Sequence, residues 1–155
     1  MKEFEGKTVI VTGAGRATLK NGDPGSIGYG IDIAFAKQGA NLVITGRNPK
    51  KLEGAKDEIE QTFGTRVLPV QADIAHGKDN ESTVQGVVDK TIAEFGQIDA
   101  LVNVAQASAS GVSLADHTME QFDLALYSGL YSTFLYMQKC FPHLKETREI
   151  GRAHV

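Results

Sequence analysis

Thr8-Val9-Ile10-Val11-Thr12-Gly13-Ala14-Gly15-Arg16, resumed after an interruption by Ser26-Ile27-Gly28, is the stretch on which the fold turns. Thr8 to Val11 is a short β-branched run bounded by Gly6 and Gly13, so Lys7 to Thr12 reads as a strand. A glycine-rich segment from Gly13 to Gly28 follows. Ile27 to Gln38 then reads as a helix, with Ile27, Ile31, Ala34 and Phe35 spaced for one face and Gly39 as its stop.

The same alternation continues outward. Asn41 to Thr45 is a second apolar strand, and Pro49 to Phe63 a helix with proline in its first turn. Arg66 to Gln71 is a third strand. Glu81 to Phe95 is a helix with Val84, Val87, Val88, Ile92 and Phe95 on one face. Ile98 to Val104 is a fourth strand, and Met119 to Lys145 is one long helix or two meeting near Ser128-Gly129. Uninterrupted apolar strands between helices predict a parallel sheet covered on both faces. Right-handed crossovers then leave few topologies. The expected class is α/β: a doubly wound parallel sheet of about four strands with flanking helices. There is no internal repeat, low-complexity segment or second domain.

Composition narrows the partners. Among 155 residues, 41% are hydrophobic and 23% charged, ordinary values for a globular chain with a real core. A net charge of −3 with scattered basic residues argues against a nucleic acid or an anionic membrane surface as partner. Cys140 is the single cysteine, which excludes an internal disulfide and fits a reducing compartment. It reads as a small helical residue, not a nucleophile. No segment approaches the roughly 18 apolar residues that span a bilayer. Met1-Lys2-Glu3-Phe4-Glu5 is charged and is no signal peptide. Cytoplasm is the expected location. His76, His117, His143 and His154 are dispersed, so no metal site is expected.

Glycines after a first strand let the backbone turn sharply and approach a pyrophosphate, and the next helix offers amide N–H groups and the positive end of its dipole. Read with the interruption, Thr12-Gly13-Ala14-Gly15-Arg16 and Ser26-Ile27-Gly28 resemble the Thr-Gly-x-x-x-Gly-x-Gly fingerprint of the short-chain dehydrogenase/reductase family. Further features fall in that family's order: Gly46-Arg47-Asn48 after the second strand, Ala72-Asp73-Ile74 after the third, and Leu101-Val102-Asn103-Val104-Ala105 after the fourth. Phe122 to Pro142 resembles its long interface helix. The resemblance runs from about Lys7 to Lys145. It implies a Rossmann-like domain in which Gly13, Gly15, Arg16, Ser26, Ile27, Gly28, Arg47, Asn48, Asp73, Ile74, Asn103 and Ala105 hold the cofactor. It also implies oxidoreduction of a small-molecule alcohol/carbonyl pair by a homodimeric or homotetrameric parent.

Three departures qualify the resemblance. Residues 17–25 lengthen the pyrophosphate loop, and a bulge into solvent is favoured over a flap because loop insertions cost little. Val104 and Gln106 stand where the family has its second Asn and its Gly, which puts some sheet-end hydrogen bonds in question. The family's helix Asn falls near Ser128-Gly129, so its role is not carried over. Asp73 suits either an adenine contact or a turn cap. Cofactor choice follows from charge. An NAD site wants an acidic residue at the end of the second strand. Here Thr45-Gly46 is neutral, and Arg47 and Arg16 suit a 2′-phosphate, so NADP(H) is expected over NAD(H).

The family's chemistry needs a Tyr-x-x-x-Lys pair and a Ser, which are not found. Tyr136 and Lys139 are three apart, in the region resembling the preceding interface helix. Tyr127, Tyr131, Tyr136 and Met137 read as core or interface residues, so no catalytic residue is assigned. Residues 1–148 are therefore read as a partial NAD(P)-binding Rossmann domain and 149–155 as a non-native-looking tail. The codons ATC GGA AGA GCA CAC GTC encode Ile150 to Val155 and match a common sequencing-adapter string, which points to an artificial truncation. Such a chain is expected to be inactive and prone to aggregate. The alternative is a complete, non-catalytic dinucleotide-binding or sensor module. A methyltransferase-like domain is disfavoured by Arg47 where that class wants an acid.

Overall fold

A computed structural model describes residues 2–18, 21–23, 25–75 and 77–147. The strands are β1 (Thr8–Val11), β2 (Asn41–Gly46), β3 (Val67–Gln71) and β4 (Ala100–Val102). The main helices are α1 (Ile27–Lys37), α2 (Pro49–Phe63), α3 (Asn80–Phe95), α4 (Met119–Ala125) and α5 (Ser132–Glu146). A π-turn, Leu126–Tyr131, joins α4 to α5 without a break.

The strands form one sheet in the order β3-β2-β1-β4, every pair parallel. This is the doubly wound α/β sheet expected from the alternation, with the chain reversing direction across the sheet at β1. Period-2 side chains split the core. Val9, Val11, Leu42 and Ile44 pack under Tyr29 and Ala36 of α1 and Leu52, Ala55 and Ile59 of α2. Ile10, Val43 and Val70 point the other way, onto Val84, Val87 and Val88 of α3 and Leu135, Tyr136 and Cys140 of α5.

Local signals explain the ends. Ser26 caps α1 by accepting from the Tyr29 amide at 3.1 Å, and Asn48 caps α2 by accepting from Lys51 at 3.2 Å. Gly64 and Gly96 close α2 and α3 in left-handed conformation. Two expectations need correction. The buried face of α1 is Gly28, Tyr29, Asp32 and Ala36, while Ile27 is 76% exposed and Ala34 is exposed. Close approach of α1 to the glycine loop demands glycine at position 28, while Ile31 and Phe35 of the expected face do pack against the core, partly buried. The fourth strand is three residues, not seven, because Val104 and Ala105 leave the ladder to bond the Thr12 hydroxyl.

No helix among the described residues is long and apolar enough to cross a membrane. Leu19, Lys20 and Pro24 of the insertion, His76, and the tail 149–155 lie outside the described residues.

Candidate functional site

The glycine-rich loop leaves β1 at the carboxyl end of the sheet and is pinned from three sides. Thr12 accepts the Val104 and Ala105 amides on its hydroxyl at 3.0 and 3.1 Å, and its own amide donates to Val102 at 3.0 Å. The Ala14 amide donates to the Thr45 carbonyl at 2.9 Å, and the Ser26 hydroxyl to the Gly15 carbonyl at 3.0 Å. Arg16 donates its amide to the Lys51 carbonyl at 3.0 Å, which joins the loop to the start of α2.

Two glycines are required by space. A Cβ on Gly13, whose φ is 68°, would stand 2.9 Å from Ala105 Cα. A Cβ on Gly28 would stand 2.3 Å from the Gly13 carbonyl oxygen. Helix α1 therefore starts directly behind the loop, the arrangement that lets backbone amides face an anion.

A cleft of about 200 Å³ opens above this loop, lined by Gly13, Gly46, Arg47, Asp73, Ile74, Ala75, Val104, Ala105, Gln106, Ala107 and Ser128. An adjoining hollow of about 190 Å³ shares Gly13, Gly46 and Arg47 with it and adds Gly15, Asn48 and Lys51. Together they lie across the carboxyl ends of all four strands, where the strand order reverses. Of the residues expected to hold cofactor, Gly13, Gly15, Arg47, Asn48, Asp73, Ile74 and Ala105 meet at these two openings. Ser26, Gly28 and Ile27 form the end of α1 behind them. Arg16 and Asn103 line neither opening.

Charges are placed unequally. Arg47 is exposed at the cleft, its carbonyl held by the Gln71 side-chain amide at 3.1 Å. Arg16 turns to α2, where its Nε donates to Glu58 at 2.5 Å; this pairing raises the guanidinium further, and the Glu58 carboxyl is lowered first by the Tyr29 hydroxyl and then by Arg16. Burial pushes the neighbouring Tyr29 phenol up to about 12. Asp73 caps its own turn, one oxygen accepting the Ala75 amide at 3.1 Å. The neutral end of β2 is Thr45, buried, and Gly46.

The insertion closes on itself: the Gly25 amide donates to the Ala17 carbonyl at 2.8 Å, and Asn21 and Asp23 bond each other at 2.7 Å on the exposed side. None of its described residues lines the cleft.

Gln106, Ala107 and Ser128 line the cleft although nothing in the sequence marks them as cofactor contacts. Ser128 is buried in the π-turn, where its hydroxyl accepts the Ala107 amide at 2.9 Å. The Gln106 side chain lies 3.5 Å from where a Cβ on Gly129 would be. The one local signal is the Ser128-Gly129 pair interrupting a long helical pattern. Tyr136 and Lys139 do not form a dyad. Tyr136 is buried, with its phenol pushed up to about 12 by desolvation, and Lys139 pairs with Glu81 at 2.7 Å. Cys140 is buried, and burial pushes its thiol up to about 12, which suits packing and not nucleophilic work. Among the described residues no cluster could hold a metal ion.

A family model described as enoyl-(acyl carrier protein) reductase matches residues 22–153. The chain is 53% identical over 145 residues to 12α-hydroxysteroid dehydrogenase from a Clostridium species, covering 94% of this chain and 53% of that protein. It superposes on L-sorbose reductase from Gluconobacter frateurii, solved with NADPH and L-sorbose, with a TM-score of 0.80 at 25% identity, over 94% of this chain and 50% of that one. Hydroxysteroid dehydrogenase from Escherichia coli gives 0.72 at 28% identity, over 93% of this chain and 55% of the other. The chain thus spans about half the length of the relatives it matches. Sequence, sheet topology and loop geometry agree: the chain belongs to the short-chain dehydrogenase/reductase family of oxidoreductases.

Proposed function

We propose that this chain is the cofactor-binding part of an NADP(H)-dependent oxidoreductase acting on a secondary alcohol/ketone pair. The observation that carries the reading is the cleft at the strand ends, where Arg47 stands at the mouth and the end of β2 offers no carboxylate. A guanidinium there suits a 2′-phosphate, whereas a ribose diol would want an acceptor. Gly13, Gly15, Ser26, Ile27 and Gly28 would receive the pyrophosphate, Asp73 and Ile74 the adenine, and Asn103 and Ala105 the far ribose. Arg16, held by Glu58, stands second to Arg47 in choosing the phosphate. The bound nucleotide supplies hydride chemistry.

The 53% identity to a 12α-hydroxysteroid dehydrogenase supports a hydroxysteroid as the alcohol. The Tyr-x-x-x-Lys pair is absent from these 155 residues, so the chain alone binds nucleotide without turnover. Phe122, Leu126, Leu130, Phe134, Met137 and Phe141 form an exposed apolar stripe along α4, the π-turn and α5. A second copy of the chain covers it in this reading, because so large an apolar face is not left to water.

Fluorescence titration with NADPH and NADH tests the cofactor assignment. NADPH should bind more tightly, and Arg47→Ala should cost about tenfold or more for NADPH and little for NADH. Equal losses would sink the assignment of Arg47, and a wild-type preference for NADH would sink the choice of cofactor.

A further inference from the structure

Asn80 is the first residue of α3 and is fully buried. Its side-chain amide donates to the Ile74 carbonyl at 2.6 Å, to the Ser132 hydroxyl at 2.9 Å and to the Tyr127 carbonyl at 3.3 Å. Ser132 in turn donates to the Tyr127 carbonyl at 2.7 Å. One side chain therefore ties together the loop after β3, the π-turn and the first residue of α5. Ile74 is part of the cleft wall beside Asp73. Ser128, one residue past Tyr127, lines the same cleft and holds Ala107 of the opposite wall.

The π-turn is thus a common anchor for both walls, with Asn80 serving one and Ser128 the other. A π-turn widens the helix for one turn, and here the Tyr127 carbonyl already accepts the Ser132 amide and, at 2.7 Å, the Ser132 hydroxyl. Asn80 supplies a donor and uses the same group to hold the loop that borders the cleft. A purely apolar residue here would take this donor from the Ile74 carbonyl and cut its tie to the Ser132 hydroxyl, leaving the loop free to shift relative to the turn.

We propose that Asn80 is a positioning residue for the adenosine end of the cofactor: it sets the Asp73–Ile74 wall against the π-turn, without touching the nucleotide. This rests on the nucleotide-binding reading above. It predicts a split between the two ends of the cofactor that general loosening would not produce. Misplacing a wall by a fraction of an ångström weakens only the ligand part that leans on it.

The test is equilibrium binding to the 155-residue chain, with NADPH, 2′,5′-ADP and reduced nicotinamide mononucleotide as separate probes. Asn80→Ala, measured well below its unfolding midpoint, should weaken NADPH and 2′,5′-ADP by about tenfold and leave the mononucleotide within twofold. Ser132→Ala removes one oxygen from the same network and should move the same two probes in the same direction by a smaller factor. It decides the matter if Asn80→Ala does not fold. Unchanged 2′,5′-ADP affinity, or an equal loss for all three probes, overturns the inference while the cofactor reading stands. Failure of the unsubstituted chain to bind NADPH overturns the cofactor reading, and the inference with it.

Discussion

The carbonyl oxygen of Gly13 and the α-carbon of Gly28 leave no room for a side chain between them, since a Cβ on Gly28 would stand 2.3 Å from that oxygen. Backbone blocks backbone here, so no rotamer change relieves the clash. Gly28→Ala should destabilise the chain by about 2–3 kcal/mol in urea unfolding and weaken NADPH binding. Gly30, two residues on, has only open space where an added methyl group would stand, with nothing within 4 Å of it. Gly30→Ala should therefore stabilise by about 0.5–1 kcal/mol. Similar behaviour of the two variants would count against the contact.

The Thr12 hydroxyl accepts two amides, from Val104 and Ala105, that have left the sheet ladder. Thr12→Val keeps the shape and removes the acceptor, which should cost about 2 kcal/mol or more because two N–H groups lose their partner. Thr12→Ser should recover most of that loss. A Thr12→Val chain as stable as the parent would show that the two amides find water instead.

Asp32 is fully buried on α1, and among the described residues neither carboxyl oxygen has a hydrogen-bond partner. Burial pushes its carboxyl up to about 9. The unfolded chain releases this proton near its ordinary value of 3.8, while the folded chain keeps it to about 9. Between those limits the folded state binds more protons, so stability falls as pH rises and levels off above the upper one. The loss is on the order of several kcal/mol. Asn in place of Asp32 cannot ionise and should flatten that slope, as read from urea midpoints between pH 5 and 9. An unchanged slope would mean that Asp32 is ionised in the fold.

The apolar stripe on α4, the π-turn and α5 should govern assembly. Placing charge at its centre with Leu130→Lys and Phe134→Lys should lower the sedimentation mass and raise solubility, because both side chains are more than half exposed in the single chain. An unchanged mass in the charged variant would remove this face as the assembly surface.

Much of the architecture was legible from pattern. Pro49, the polar-faced run after it and Phe63 bound α2 as read, because proline at a first turn and a left-handed Gly64 are local devices. The parallel sheet followed from apolar strands alternating with helices. The buried face of α1 did not follow, since Ile27 and Ala34 carry the apolar signal and yet are exposed. Packing distance to the glycine loop, a tertiary quantity, chose Gly28 at the start of the helix.

The site divides along the same line. Gly13, Gly15, Arg47, Asn48 and Asp73 could be named because each sits at a strand end or loop whose backbone chemistry is written locally. Arg16 reads like Arg47 in sequence, but the structure pairs it with Glu58, 42 residues away in the chain. Asn80 gave no local sign, and Ser128 and Gln106 stood out only as departures from the family pattern, because their partners come from the other side of the cleft, Tyr127, Ala107 and Gly129 among them. Element type and loop chemistry depend on neighbours in sequence, which the chain spells out. Which cation faces the cleft, and which polar group holds its walls, depends on contacts between distant segments that exist only once the sheet and helices have packed.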